Sequence, residues 1–231
     1  KTKYMHAINE STGISITERF EYDHAGRLLQ TWHQVDEEDE ILMSEHSYNE
    51  LGALVDKKIH STDSGSTCLQ STDYRYNIRG WLTSINNASR TNDGTLNDDA
   101  DDLFGMELFY NTDPLNTGAV SQYNGNIAAT AWSNPMYDGE HAYNYTYDPL
   151  NRIRSAGYKE RTGSTWTVNT GHYTVDNLDY DHNGNILTLD RKGSGTLIDE
   201  LEYSYEGNRL LAVNDRQNNT KGFRDGAELS E

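Results

Sequence analysis

The stretch Tyr22-Asp-His-Ala-Gly26-Arg-Leu28 decides the fold, because close copies of it recur along the chain. They are Tyr48-Asn-Glu-Leu-Gly52-Ala-Leu54, Tyr76-Asn-Ile-Arg-Gly80-Trp-Leu82, Tyr147-Asp-Pro-Leu-Asn151-Arg-Ile153 and Tyr180-Asp-His-Asn-Gly184-Asn-Ile186. Two shortened relatives are Tyr123-Asn-Gly-Asn-Ile127 and Tyr205-Glu-Gly-Asn-Arg-Leu210. The tyrosines are 26 (22 to 48), 28 (48 to 76), 47 (76 to 123), 24 (123 to 147), 33 (147 to 180) and 25 (180 to 205) residues apart. That is a period near 25 with insertions, and the widest gap leaves room for a degenerate copy at Leu108-Phe-Tyr110-Asn-Thr112. A repeat of this length predicts one supersecondary unit per copy, each leaning on its neighbours.

Each copy reads as a β-hairpin. Two residues before the tyrosine stands another bulky group (Phe20, His46, Tyr74, Tyr145, Leu178 or Tyr203), which period-2 spacing places on the same strand face. Asp or Asn after the tyrosine can accept backbone amides of a turn, and Gly, or Asn151 in one copy, supplies the positive φ that closes it. Two residues on comes an aliphatic group: Leu28, Leu54, Leu82, Ile153, Ile186 or Leu210. The expected repeated contact is therefore aromatic on one strand and aliphatic on the next. An isolated hairpin buries too little to persist in water, so the copies must stack into one continuous antiparallel sheet. On this reading, emptying Tyr22 or Leu54 to alanine costs ~2 to 4 kcal/mol. No stretch shows sustained helical spacing with caps, so helices are expected to be short or absent. Asp36–Glu40, Asn92–Asp102 and Gly193–Gly195 read as solvated loops.

Composition narrows the function classes. With 37 acidic against 19 basic residues the net charge is −18, which repels nucleic-acid phosphates, so no nucleic acid is expected as a partner. No apolar run approaches the roughly 20 residues that cross a bilayer as a helix, and no membrane insertion is expected. Sixteen Tyr, 19 Gly and only 3 Pro mark a folded, β-prone chain rather than a disordered acidic tail. The lone Cys68 excludes an internal disulfide framework. The N-terminal residues lack the apolar core of a signal peptide, and the whole is expected to be an excerpt of a longer polypeptide.

Motifs for chemistry are weak. Asp179-Tyr-Asp181-His-Asn183-Gly184-Asn185, running on to Asp190 at the twelfth position, approaches a calcium-loop pattern. The twelfth residue is Asp rather than Glu, no flanking helices are expected, and the sister copy reaches Trp32 instead. Turn duty already explains Asp181 and Gly184. The eight histidines show no metal-ligand spacing, and His24 and His182 share one repeat slot, which points to a turn role. No nucleophile elbow and no phosphate loop occur. Trp32, Trp81, Trp132 and Trp166 with the tyrosine ladder offer stacking faces for sugars, although β-propensity alone places such residues in sheets. No catalytic, cofactor-binding or metal-ligating residue is assigned, and no cofactor is expected.

The repeat resembles the YD repeat of bacterial Rhs proteins, which is shared with insecticidal toxin-complex shells and teneurins. The resemblance is carried by the copies above and by the phrases Tyr76-Asn-Ile-Arg-Gly-Trp-Leu-Thr-Ser-Ile-Asn86, Phe104-Gly-Met-Glu-Leu-Phe-Tyr110, Tyr123-Asn-Gly-Asn-Ile-Ala128 and Tyr147-Asp-Pro-Leu-Asn-Arg-Ile153. It implies an all-β fold of stacked antiparallel hairpins forming a curved, spiralling sheet, here one array over residues 1–231 that is a segment of a hollow shell. It also implies a structural, non-enzymatic role in enclosing a C-terminal toxin or effector domain of a large secreted or cell-surface protein. The partners implied are the remaining repeats and that cargo. No Asp-Pro-x-Gly stretch of the kind found in the self-cleaving core of such proteins occurs near the C-terminus, and Lys221–Glu228 reads as the lead-in to a further repeat. The alternative is a cell-surface adhesin or carbohydrate-binding module, with glycans or a receptor as partner.

Overall fold

The structure, a computed structural model, describes residues 2–9, 12–91, 102–113, 116, 118–163, 165–168, 172–217 and 219–224. It is all-β: sixteen strands and, among the described residues, no helix. The chain divides into two compact units, Lys1–Glu107 and Leu108–Glu231, with the boundary inside one strand.

The first unit contains β1 (Thr2–Asn9), β2 (Thr12–Tyr22), β3 (Leu28–Val35), β4 (Ile41–Tyr48), β5 (Leu54–Ser61), β6 (Gln70–Tyr76), β7 (Leu82–Ile85) and the start of β8 (Gly105–Phe109). Each strand pairs antiparallel with the next in chain order. The second unit continues with β9 (Ala129–Asn134), β10 (Tyr137–Tyr147), β11 (Ile153–Thr162), β12 (Thr165–Val168), β13 (Val175–Tyr180), β14 (Ile186–Gly193), β15 (Thr196–Glu206) and β16 (Arg209–Asp215). Here too the order follows the chain, except that β12 pairs only with β11 and β13 takes the next place.

The expected cross-strand pairing is present in six of the seven copies. Tyr22 faces Leu28, Tyr48 faces Leu54, Tyr76 faces Leu82, Tyr147 faces Ile153, Tyr180 faces Ile186 and Tyr205 faces Leu210. A register shift precedes each of these tyrosines, so each return strand carries one extra residue beside its aliphatic anchor. The turn glycines adopt positive φ, +81° at Gly26 and +90° at Gly184, and Asn151 takes +64° in the copy without glycine. The loop at Asp36–Glu40 joins β3 to β4, and Ser194-Gly195, both at positive φ, closes the β14–β15 hairpin. Residues 92–101 of the acidic run lie outside the described residues.

Packing departs from the expectation of a filled aromatic and aliphatic face. Tyr22 is 59% exposed, Leu210 50% and Ile153 39%. Full burial is found at Ala128, Ala129, Ala131 and Ala142 in the second unit, where Tyr158, Trp166, Leu178, Ile198 and Leu201 are also buried, and at Leu42 and Ala88 in the first. The cost of Tyr22→Ala accordingly falls below the core-deletion range.

The proposed degenerate copy at Leu108–Thr112 does not form a tight hairpin. Tyr110 is buried and its carbonyl accepts the Gln122 amide at 2.7 Å, while the Phe109 carbonyl accepts the Ala128 amide at 2.7 Å. Both bonds bring the shortened copy at Tyr123–Ile127 back beside Phe109 and Tyr110.

Candidate functional site

Two features stand out: a rim of linked turns and an aromatic groove. The rim begins with the residue after each tyrosine. Asp23 Oδ1 accepts the amides of Ala25 (2.8 Å) and Arg27 (2.9 Å), and Asp148 Oδ1 those of Leu150 (2.8 Å) and Arg152 (2.9 Å). Asn49, Asn77 and Asp181 hold their turns in the same way. One side chain thus satisfies two turn amides in five copies.

The arginine of the repeat joins one turn to the next. Arg27 Nε donates to Asp23 Oδ2 at 2.6 Å, and its guanidinium lies 4.9 Å from the ring centre of Tyr48. Arg152 repeats this with Asp148 (2.6 Å) and the Tyr180 ring (4.5 Å), and donates to the Asp181 carbonyl at 3.1 Å. In two copies the arginine and the charge beneath it are replaced together, Asn49 with Ala53 and Asn77 with Trp81, while Asp181 keeps its charge beside Asn185. In the fifth copy Asn185 Nδ2 bonds both Asp181 (2.8 Å) and Asn208 of the following turn (3.1 Å). Asn124 and Asn126 likewise donate to Asn151 Oδ1, at 2.5 and 3.2 Å. The tyrosines reach backward: the hydroxyls of Tyr48, Tyr147 and Tyr180 donate to the carbonyls of Leu28 (2.8 Å), Ile127 (2.7 Å) and Ile153 (2.7 Å). Ile127 therefore fills the aliphatic slot of the shortened copy.

The second feature lies in the second unit on one face of β9–β11. Period-2 spacing aligns His141, Tyr143 and Tyr145 on β10, and register puts Trp132 opposite His141 and Tyr158 opposite Tyr143. Trp132 and Tyr143 lie 5.4 Å apart and 20° from parallel, Tyr158 is tilted 59° to Tyr143, and Tyr173 stands at 80° to Tyr158. With Tyr137 and Glu160 they line a groove of about 430 Å³. The Tyr158 oxygen lies 3.1 Å from Glu160 Oε1 and 2.6 Å from His141 Nδ1, which joins the three side chains in one hydrogen-bonded chain. Burial, reinforced by the Glu160 charge, pushes the Tyr158 phenol well above its ordinary pKa. Tyr173 has a φ of +50° and is fastened there by the Tyr143 hydroxyl on its carbonyl at 2.6 Å.

The other residues considered from sequence are dispersed. Asp181 is occupied by its turn, Asp179 pairs with Arg154, and Asp190 lies in β14 opposite Asp176 and Glu200. His24 and His182 sit in turns. Cys68 is half-buried, and burial raises its thiol pKa. Of the tryptophans only Trp132 enters the groove; Trp32, Trp81 and Trp166 each lie under an arginine, Arg19, Arg79 and Arg161. Sequence reasoning missed the arginine linkage and the roles of Tyr137, His141, Tyr158, Glu160 and Tyr173. The pairing of Asp with Arg in the copies at Asp23 and Asp148 was the available signal for the first.

No family model matches the sequence, and no curated protein matches it. Among solved structures, the chain is similar to a crystal structure of TcdB2-TccC3-Cdc42 at 14% identity and a TM-score of 0.35, over 88% of this chain and 12% of that one. It is similar to a Photorhabdus luminescens Tc holotoxin pore at 16% identity and a TM-score of 0.32, over 89% of this chain and 12% of that one. A TcdB2-TccC3 crystal structure gives 14% identity and a TM-score of 0.35, over 86% and 13%. The chain thus spans about an eighth of the length of these structures.

Proposed function

We propose that this chain is a structural, non-enzymatic segment of an Rhs-type hairpin wall, which encloses a C-terminal toxin or effector domain of a large secreted or surface polypeptide. The observation that carries this reading is the turn-to-turn rim. Asp23–Arg27–Tyr48 and Asp148–Arg152–Tyr180 spend the repeat's most distinctive residues on holding hairpins beside one another. Such a rim extends with each added copy and has no intrinsic end, which suits a wall. The partners of this segment are the repeats on either side and the enclosed domain of its own polypeptide.

Intact mass and peptide mapping of the native secreted polypeptide test the reading. A C-terminal piece that is cut from the repeats yet co-purifies with them is the expected result. A surface-anchored chain with no cleaved piece, whose repeats bind a glycan or receptor saturably, would establish the adhesin function in its place.

A further inference from the structure

We propose that the groove over β9–β11 binds an organic ammonium ion, quaternary or methylated, seated on Trp132, Tyr143 and Tyr158 beside the Glu160 carboxylate. This goes beyond the wall function and does not depend on it. The rings do not form one flat platform. Trp132 and Tyr143 stack 20° from parallel, Tyr158 is inclined to Tyr143 by 59°, and Tyr173 stands at 80° to Tyr158. Aromatic faces meeting at such angles around one space present their negative π-surfaces to a compact, roughly spherical cation.

Charge agrees with shape. The lining contains a carboxylate, Glu160, and neither lysine nor arginine, in a chain of net charge −18. The phenol and imidazole that a sugar would need for its hydroxyls are already joined to each other and to Glu160. A polyhydroxylated ligand would leave polar groups unpaired there, whereas an alkylammonium needs no hydrogen bond. Tyr173 adds the third observation. A φ of +50° is unfavourable for an aromatic residue, yet the Tyr143 hydroxyl and the Ser194 hydroxyl at 3.3 Å hold it so that its ring walls the groove.

The test is calorimetric titration of the 231-residue chain at pH 8. The probes are choline, its uncharged isostere 3,3-dimethylbutan-1-ol, and glucose. Saturable choline binding, about tenfold tighter than the isostere, is expected. Glu160→Gln should weaken choline about fivefold and leave the isostere unchanged. Tyr137→Ala, at an exposed position on the rim of the groove, should weaken choline severalfold with no change in melting temperature, which guards against misreading a fold defect. Equal affinity for choline and the isostere, preferential binding of glucose, or no saturable choline binding below about 50 mM would each overturn the proposal.

Discussion

The acidic residue after the repeat tyrosine has two separable duties, and substitutions distinguish them. Asp148→Asn keeps an oxygen for the Leu150 and Arg152 amides and loses only the charge under Arg152, so it should lower the melting temperature slightly. Asp148→Ala removes both and should lower it more, as thermal denaturation would register. The same carboxylates set the acid limit. The Arg27 and Arg152 amides hold Asp23 and Asp148 below the ordinary carboxylate pKa, the Asn185 side chain does so for Asp181, and the Thr67 hydroxyl brings Asp63 down to about 2. Because the folded chain favours the ionised form, this stabilisation is complete above the ordinary value of 3.8 and is lost as pH falls from there toward about 2. The melting temperature should therefore decline with acid in that window, with Asp148→Asn showing a shallower decline. The turn duties of Asp, Asn and Gly were legible in the sequence because they depend only on neighbours within five residues. The arginine's second partner, one repeat away in space, was not.

At the scale of the hairpin, stability should come from lateral coupling more than from burial. Tyr180→Phe removes the bond to the Ile153 carbonyl and should cost about 1 kcal/mol. Arg152→Ala removes the contact with the Tyr180 ring and the bond to the Asp181 carbonyl, and should cost about 1 to 2 kcal/mol. A double-mutant cycle with Tyr180→Leu should return a coupling of about 0.5 to 1 kcal/mol, and additivity would deny the linkage. Close backbone approaches set a harsher limit. A side chain at Gly222 would overlap the Ile198 carbonyl and Asp199, onto which the Phe223 amide is bonded at 2.5 Å, so Gly222→Ala should release the segment 219–224 from β15. Hydrogen exchange at Phe223 would show it. Strand pairing and the tyrosine-to-aliphatic register followed from period-2 spacing. The core of Ala128, Ala129, Ala131 and Ala142 did not, since alanine carries no periodic signal of its own, nor did the loop between Tyr110 and the shortened copy.

For the whole molecule, 37 acidic residues against 19 basic ones create a self-repulsion that no local turn relieves. Moderate sodium chloride should therefore raise the melting temperature at pH 7 by screening it, even while it weakens the exposed arginine pairs. The all-β architecture was legible from the repeat, whereas the proposed enclosure rests on the resemblance that the repeat carries. The aromatic groove was hidden because its members come from three strands and a loop, with no common spacing. Enclosure is tested most directly by protease protection of the C-terminal domain within the native polypeptide, compared between the natural wall and one bearing Arg27→Ala and Arg152→Ala. A domain resistant to digestion behind the intact wall, and cut faster once the rim is broken, is the expected result. Digestion at the rate of the free domain in both would contradict it.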